Sequence, residues 1–243
     1  MIFERKLYID RLVRSRNNGR IKIVTGMRRC GKSFLLFELF KKWLLDNGVD
    51  GGHIIEIDLE NRKNRKLRDP DCLMEHIDSR LTDNDMHYIL IDEIQLVDEF
   101  EDVLNSYLKV GNADVYVTGS NARFLSRDVI TEFRGRGQEI EVMPLSFSEY
   151  YEAMGNGNWR AALDDYSRYG GMPAAVLESD LGERTKYLKG LFRSTYIKDI
   201  VQRNNIHNEL ALSGILDVIS SGMVVSQMQR GLLIHCKAPA KPR

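Results

Sequence analysis

Cysteine is scarce: Cys30, Cys72 and Cys236 are the whole set in 243 residues, an odd number without metal-ligand spacing. That pattern reads as a reduced, cytoplasmic compartment, with no disulfide framework and no zinc site. Long apolar runs are also missing. Stretches such as Tyr88–Ile91 span only a few residues, whereas a membrane helix needs about 18 or more. The N-terminus, MIFERKLYID, has no apolar h-region and is not a secretory signal. Nor is there a charge of one sign, because 35 basic and 35 acidic residues cancel. The chain as a whole is therefore not built as a polyanion binder. With 43% hydrophobic and 29% charged residues it is ordinary globular material, which excludes disordered and fibrous classes. The length allows one large domain, or one domain with a small satellite.

Charge is unevenly distributed nonetheless. Residues 1–32 hold ten Lys or Arg against Glu4 and Asp10, and residues 81–102 hold eight acids with no Lys or Arg. Two readings stand side by side: a polyanion-facing edge, or surfaces that pair within the fold.

Along the first half, short apolar runs alternate with helical patterns. Ile21–Thr25, His53–Leu59, His87–Asp92, Asp114–Thr118 and Glu139–Met143 read as strands. Lys32–Asn47, Pro70–Leu81 and Glu99–Val110 have apolar residues at helical spacing, with Gly48 and Gly111 as stops, and 61–70 reads as a basic loop. Strands separated by helices indicate βαβ units, an α/β fold with a parallel sheet whose strands should be apolar throughout. After Ser146 the strand signal fades and helices follow, interrupted at Gly170-Gly171-Met172-Pro173. A boundary therefore falls near residue 145. The last stretch, GLLIHCKAPAKPR, has no period.

Gly26-Met27-Arg28-Arg29-Cys30-Gly31-Lys32-Ser33 matches G-x-x-x-x-G-K-[ST], a phosphate loop (Walker A), in full. It follows a strand and opens a helix, as the motif requires. Two glycines let backbone N–H groups close on phosphate oxygens, and the helix N-terminus adds its dipole. Lys32 is placed to reach the β- and γ-phosphates, Ser33 to ligate Mg²⁺, and Phe34 to follow at the nucleotide. Tyr88-Ile89-Leu90-Ile91-Asp92-Glu93 delivers two acids to the end of an apolar strand (Walker B), where open α/β sheets bind ligands. Asp92 is the candidate metal ligand through water, and Glu93 the candidate general base. Ser120 or Asn121, after the strand ending at Thr118, is a candidate to orient the attacking water or to cap a helix. Arg136, in Arg134-Gly135-Arg136-Gly137, is a candidate γ-phosphate contact in cis or on a neighbouring subunit. Cys30, flanked by positive charge at a helix N-terminus, is expected to be the most reactive thiol. There is no N-K-x-D for guanine and no LSGGQ. ATP binding with Mg²⁺-dependent hydrolysis is the leading reading. A slow nucleotide-dependent switch or DNA-associated regulatory module is the alternative.

GMRRCGKS, ILIDEIQ, VTGSNARFL, FRGRGQEIEVMPLSFSEY and GGMP, in this order, resemble the AAA-type ATPases. The resemblance is to a prokaryotic group with an AAA core, a helical lid, a winged-helix-like segment and a C-terminal domain of unknown function. It implies a three-layer P-loop core over residues 1–145, a helical lid over 146–205 and a partial winged-helix-like segment with an irregular tail over 206–243. The C-terminal domain of that group is expected to be missing here. Lys32, Asp92, Glu93 and Arg136 map onto its working residues. The resemblance also implies a homo-oligomer through Arg136 and a DNA or protein client.

Overall fold

Strands buried on both faces must be apolar on both, and the three inner strands of five in this chain are covered that way. In the computed structural model, which describes residues 2–119, 135–155 and 157–193 with a few isolated positions beyond, the strands are β1 (Ile21–Gly26), β2 (Ile54–Asp58), β3 (His87–Asp92), β4 (Ala113–Thr118) and β5 (Gly137–Val142). All pair in parallel in the order β2-β3-β4-β1-β5. The side-chain period of two splits the sheet's residues between two cores. Ile23, Ile57, Ile89, Ile91 and Val117 face Leu73 and Ile77 of α4 (Pro70–Asp78) and Phe100, Val103 and Leu104 of α5 (Phe100–Tyr107). Val24, Ile54, Leu90, Tyr116 and Val142 face Tyr8 and Leu12 of α1 (Lys6–Arg14) and Leu36, Phe40 and Leu44 of the helix that follows β1. This is a three-layer α/β core, as expected.

That helix starts as α2 (Lys32–Phe34), runs through a π-helical stretch Leu35–Phe40 and ends as α3 (Lys41–Asp46). Periodicity predicts one α-helix here and cannot show the wider turn. The basic stretch after β2, expected as loop, is the 3₁₀ helix Arg62–Arg68, whose N-cap Asn61 accepts the Lys63 N–H. Asp69 caps α4 with Pro70 in its first turn. The helix α1 carried no sequence expectation. Beyond β5, α6 (Phe147–Ala153) opens with a full capping box between Ser146 and Glu149. It is followed by α7 (Trp159–Tyr169), α8 (Pro173–Leu177) and α9 (Leu181–Leu191). The chain divides into two compact units, Met1–Leu191 and Phe192–Arg243. Most of 194–243, including the proposed winged-helix-like segment and Cys236, lies outside the described residues. Among the described residues no helix is long and apolar enough to cross a membrane.

Two strand expectations need correction. The edge strands are not apolar throughout, because Glu56 of β2 is exposed and Glu139 and Glu141 of β5 alternate outward. The inner strands are not purely apolar either: Lys22 of β1 and Asp114 of β4 are 0% and 2% exposed and form an ion pair. Tyr116 Oη and the Asn17 N–H donate to the other Asp114 oxygen at 2.8 and 3.0 Å. Burial pulls the Lys22 pKa down, and Asp114 opposes it.

Lys22 is one of several N-terminal cations with internal partners. Arg5 is buried, donates to Met143 O at 2.5 Å, lies 3.5 Å from Glu149 and stacks over Tyr8. Arg16 stacks over Trp43. Part of the basic surplus thus has partners within the fold.

Removing Asp114 would strand a buried ammonium. Asp114→Ala should lower stability by about 3–5 kcal/mol, read from urea unfolding midpoints at neutral pH. A loss under about 1 kcal/mol would mean that Lys22 is not held there as a buried cation.

Candidate functional site

In a parallel sheet the carboxyl ends of neighbouring strands open on one crevice. Here that edge gathers Gly26 of β1, Asp92 of β3 and Thr118 of β4. The register makes this unavoidable, because Ile91 sits opposite Val117 and Val24 opposite Thr118.

Gly26 has φ 137°, and a Cβ there would lie 2.2 Å from Val142 O. Only glycine lets β1 leave the sheet this close to β5. The loop then turns through Arg29 (φ 64°) and Gly31 (φ 99°), and Leu35 N–H donates to Gly31 O at 2.9 Å to start the helix. Lys32 is buried, and its ammonium donates to Gly26 O and Met27 O at 3.1 and 3.0 Å. The Lys32 head therefore spans the mouth of its own loop. Met27, Arg28 and Arg29 are exposed around it.

Asp92 is 4% exposed, its carboxylate accepts a hydrogen bond from the Thr118 hydroxyl, and the Ser33 hydroxyl lies near enough to favour its charged form. Burial pushes its pKa up; the two hydroxyls pull the other way, and the charges of Glu93 and Asp58 add to the rise. The same Thr118 oxygen accepts the Glu93 N–H at 3.0 Å. Glu93 takes φ 54°, rare for a residue with a Cβ, and the Gln95 amide donates to its carboxylate. One threonine hydroxyl thus fixes both acids. Thr118 was missed as a site residue in the sequence, although it closes an apolar strand, the position where a lone hydroxyl stands out. Glu60, just beyond β2, was missed too. Burial raises its pKa, followed by the charges of Glu93, Asp92 and Asp58, with Arg28 opposing.

Beside the loop lies an apolar cavity of about 270 Å³, lined by Ile2, Phe3, Cys30, Phe34, Pro173 and Leu177 among others. Its walls come from the N-terminal segment, the phosphate loop and α8, so no local pattern shows it.

Arg136 is not brought to this site. Ile21 N–H donates to Arg136 O at 3.0 Å, and Ile21 pairs with Gly137. Arg136 is therefore at the amino end of β1 and β5, while the phosphate loop leaves the carboxyl end. Six residues of β1 separate the two by roughly 17 Å, which excludes a cis contact. Ser120, Asn121 and Arg134 lie outside the described residues.

The donor set tests well against Mg²⁺. A buried carboxylate and a helix-start hydroxyl lie near each other, beside a lysine and a glycine loop. These are hard oxygen donors of the kind Mg²⁺ takes through a few direct and water-mediated bonds.

Residues 18–151 match the family described as AAA domain. An uncharacterised protein of Haemophilus influenzae is 29% identical over 220 residues, covering 88% of this chain and 54% of its own. An uncharacterised protein of Methanocaldococcus jannaschii is 27% identical, covering 78% of this chain and 44% of its own. The chain thus spans about half the length of the curated relatives it matches. Among solved structures, the Aeropyrum pernix ORC1 protein in complex with DNA is similar at TM-score 0.47 and 12% identity, over 68% of this chain and 50% of that one.

The structure corrects the expectation for Cys30. It is 1% exposed, its thiol donates to Val142 O at 3.2 Å, and burial raises its pKa against the charges of Lys32 and Arg5. It packs under the loop against β5. Iodoacetamide on the folded protein should therefore label exposed Cys72 well before Cys30, as peptide mass spectrometry would read. Faster labelling of Cys30 would reinstate it as the reactive thiol.

Proposed function

Because the chain belongs to the AAA domain family, we propose that it binds ATP with Mg²⁺ and hydrolyses it to drive a macromolecular client. The observation that carries this is the buried Asp92 carboxylate, bonded to Thr118 and close to Ser33, at the mouth of the phosphate loop. Met27 to Ser33 would wrap the phosphates with backbone N–H groups, with Lys32 exchanging its loop carbonyls for phosphate oxygens. Ser33 and Asp92 would hold Mg²⁺. When bound, the ion neutralises charge on the β- and γ-phosphate oxygens. Glu93, fixed by Thr118, would take the proton of the attacking water. The cavity edged by Phe34 and Pro173 suits a flat, largely apolar adenine ring. Asn121 is retained as a candidate to orient that water. Residues 146–205 are read as the lid and 206–243 as a partial winged-helix-like segment.

A second reading, a slow nucleotide-dependent switch, is favoured by one contact. The Gln95 amide engages the Glu93 carboxylate and would hold the base back until something displaces it.

Two experiments test these roles. Lys32→Ala should lose ATP binding while remaining folded. Glu93→Gln should keep binding and slow phosphate release at least ~10²-fold. Wild-type turnover by Glu93→Gln would remove the base, and unchanged affinity in Lys32→Ala would remove the phosphate loop assignment.

Arg136, at the far end of the sheet, would act on a neighbouring subunit's nucleotide, which makes a homo-oligomer the working form. Its charge would stabilise the transferred phosphoryl group, an effect worth ~10³-fold or more elsewhere. Arg136→Ala should bind ATP and lose turnover, and mixing it with Lys32→Ala should restore part of the rate through mixed interfaces. Mixed oligomers without recovery would refute the action in trans.

A further inference from the structure

At the opposite edge of the sheet from the nucleotide site, the register that aligns Ile54 with Tyr88 also sets His53 beside His87. The two imidazoles meet edge to face, with ring centroids 4.6 Å apart. Asp83, on the loop entering β3, brings a carboxylate oxygen 2.9 Å from His53 Nε2. One ligand atom from each of the three lies within 4.8 Å of the others.

His87 decides what this cluster is. It is fully buried at the floor. Its Nδ1 is 2.8 Å from Asp85 O, and a carbonyl can only accept, so Nδ1 carries the hydrogen. In the neutral ring Nε2 is then a bare lone pair. That atom is buried and has no hydrogen-bond partner among the described residues. An orphaned buried acceptor is costly, and a ring whose other nitrogen donates to a main-chain carbonyl is the usual arrangement of a metal-ligating histidine. Asp83 is held as well: its second oxygen accepts the Asp85 N–H at 2.9 Å, and its carbonyl accepts from the Asn112 amide at 2.8 Å.

We infer that His53, Asp83 and His87 form a binding site for a first-row divalent metal ion, Zn²⁺ in the first place. Two imidazoles and one carboxylate are a zinc donor set that leaves a fourth position to water. Tetrahedral zinc ligands stand about 3.3 Å apart, so closing the triad from its present spacing takes side-chain adjustment only. The His53 side chain, 19% exposed, and exposed Asp83 leave the metal a path from solvent. The cysteine count, on which the sequence reading of no zinc site rested, has no bearing on such a set. Tying the 3₁₀ turn Gly51–His53 to the start of β3, the ion would staple β2, one of the two outer strands of the sheet, at its amino end.

The test is calorimetric titration of EDTA-treated protein with Zn²⁺, repeated with Co²⁺ to read the visible absorption of a four-coordinate site. Wild type should take up one ion per site and melt at a higher temperature with it. His53→Ala and Asp83→Ala each alter an accessible residue and should weaken binding at least ~10-fold. Lys32→Ala and Asp92→Asn should bind Zn²⁺ as wild type does. No stoichiometric uptake, or uptake that neither His53→Ala nor Asp83→Ala changes, overturns the site. So does uptake lost in Lys32→Ala or Asp92→Asn, because the ion would then be at the nucleotide loop. ATP turnover does not enter this readout, so failure here and failure of the proposed hydrolysis are separate results.

Discussion

A carboxylate held nearly free of water at a sheet edge must have its oxygens answered, and at Asp92 the Thr118 hydroxyl bonds to one while the Ser33 hydroxyl lies close by. This small contact joins three elements at one point. Ser33 belongs to the helix that opens after the phosphate loop, Asp92 ends β3, and Thr118 ends β4. Neutral hydroxyls only partly offset the burial of the charge, which is why the carboxyl remains shifted toward its protonated form. A cation would complete what the hydroxyls begin. The strained backbone of Glu93 follows from the same contact, because its N–H is drawn onto the Thr118 oxygen as the chain turns out of the strand.

The two ends of the parallel sheet do different work. At the carboxyl end, polar groups face a crevice and the loops stay open toward it. At the amino end, Lys22 and Asp114 close a buried ion pair, Arg136 opens β5, and His53 and His87 stand side by side. One end leaves its polar groups around an open crevice, while the other holds a buried ion pair, an outward-facing arginine and the paired histidines. This division is a consequence of all strands running the same way, since every loop of one kind emerges at one edge.

Much of this could be read without coordinates. The strand from His87 to Asp92 has the limits its apolar run predicts, and the phosphate loop falls between a strand and a helix as its spacing requires. Both are local patterns, set by periodicity and by glycine's freedom within a few residues. The same local reading failed for Cys30. Charges adjacent in sequence suggested a reactive thiol, yet the side chain turns inward to Val142, 112 residues away.

The sequence by itself determined the α/β class, the five strands in their order along the chain, and Gly26, Lys32, Ser33, Asp92 and Glu93 as the candidate set that the fold brings to one edge of the sheet. These depend on short-range patterns that tertiary context rarely overrides. Only the tertiary structure decided that Thr118 fixes both acids, that Glu60 joins them, and that Ile2, Phe3 and Pro173 wall one cavity. It also put Arg136 out of reach of its own loop and set His53 beside His87. Each of these depends on the strand order β2-β3-β4-β1-β5 and on register. Register is fixed by the packing of whole strands against two helical layers, so residues dozens of positions apart become neighbours without leaving a trace in the spacing between them.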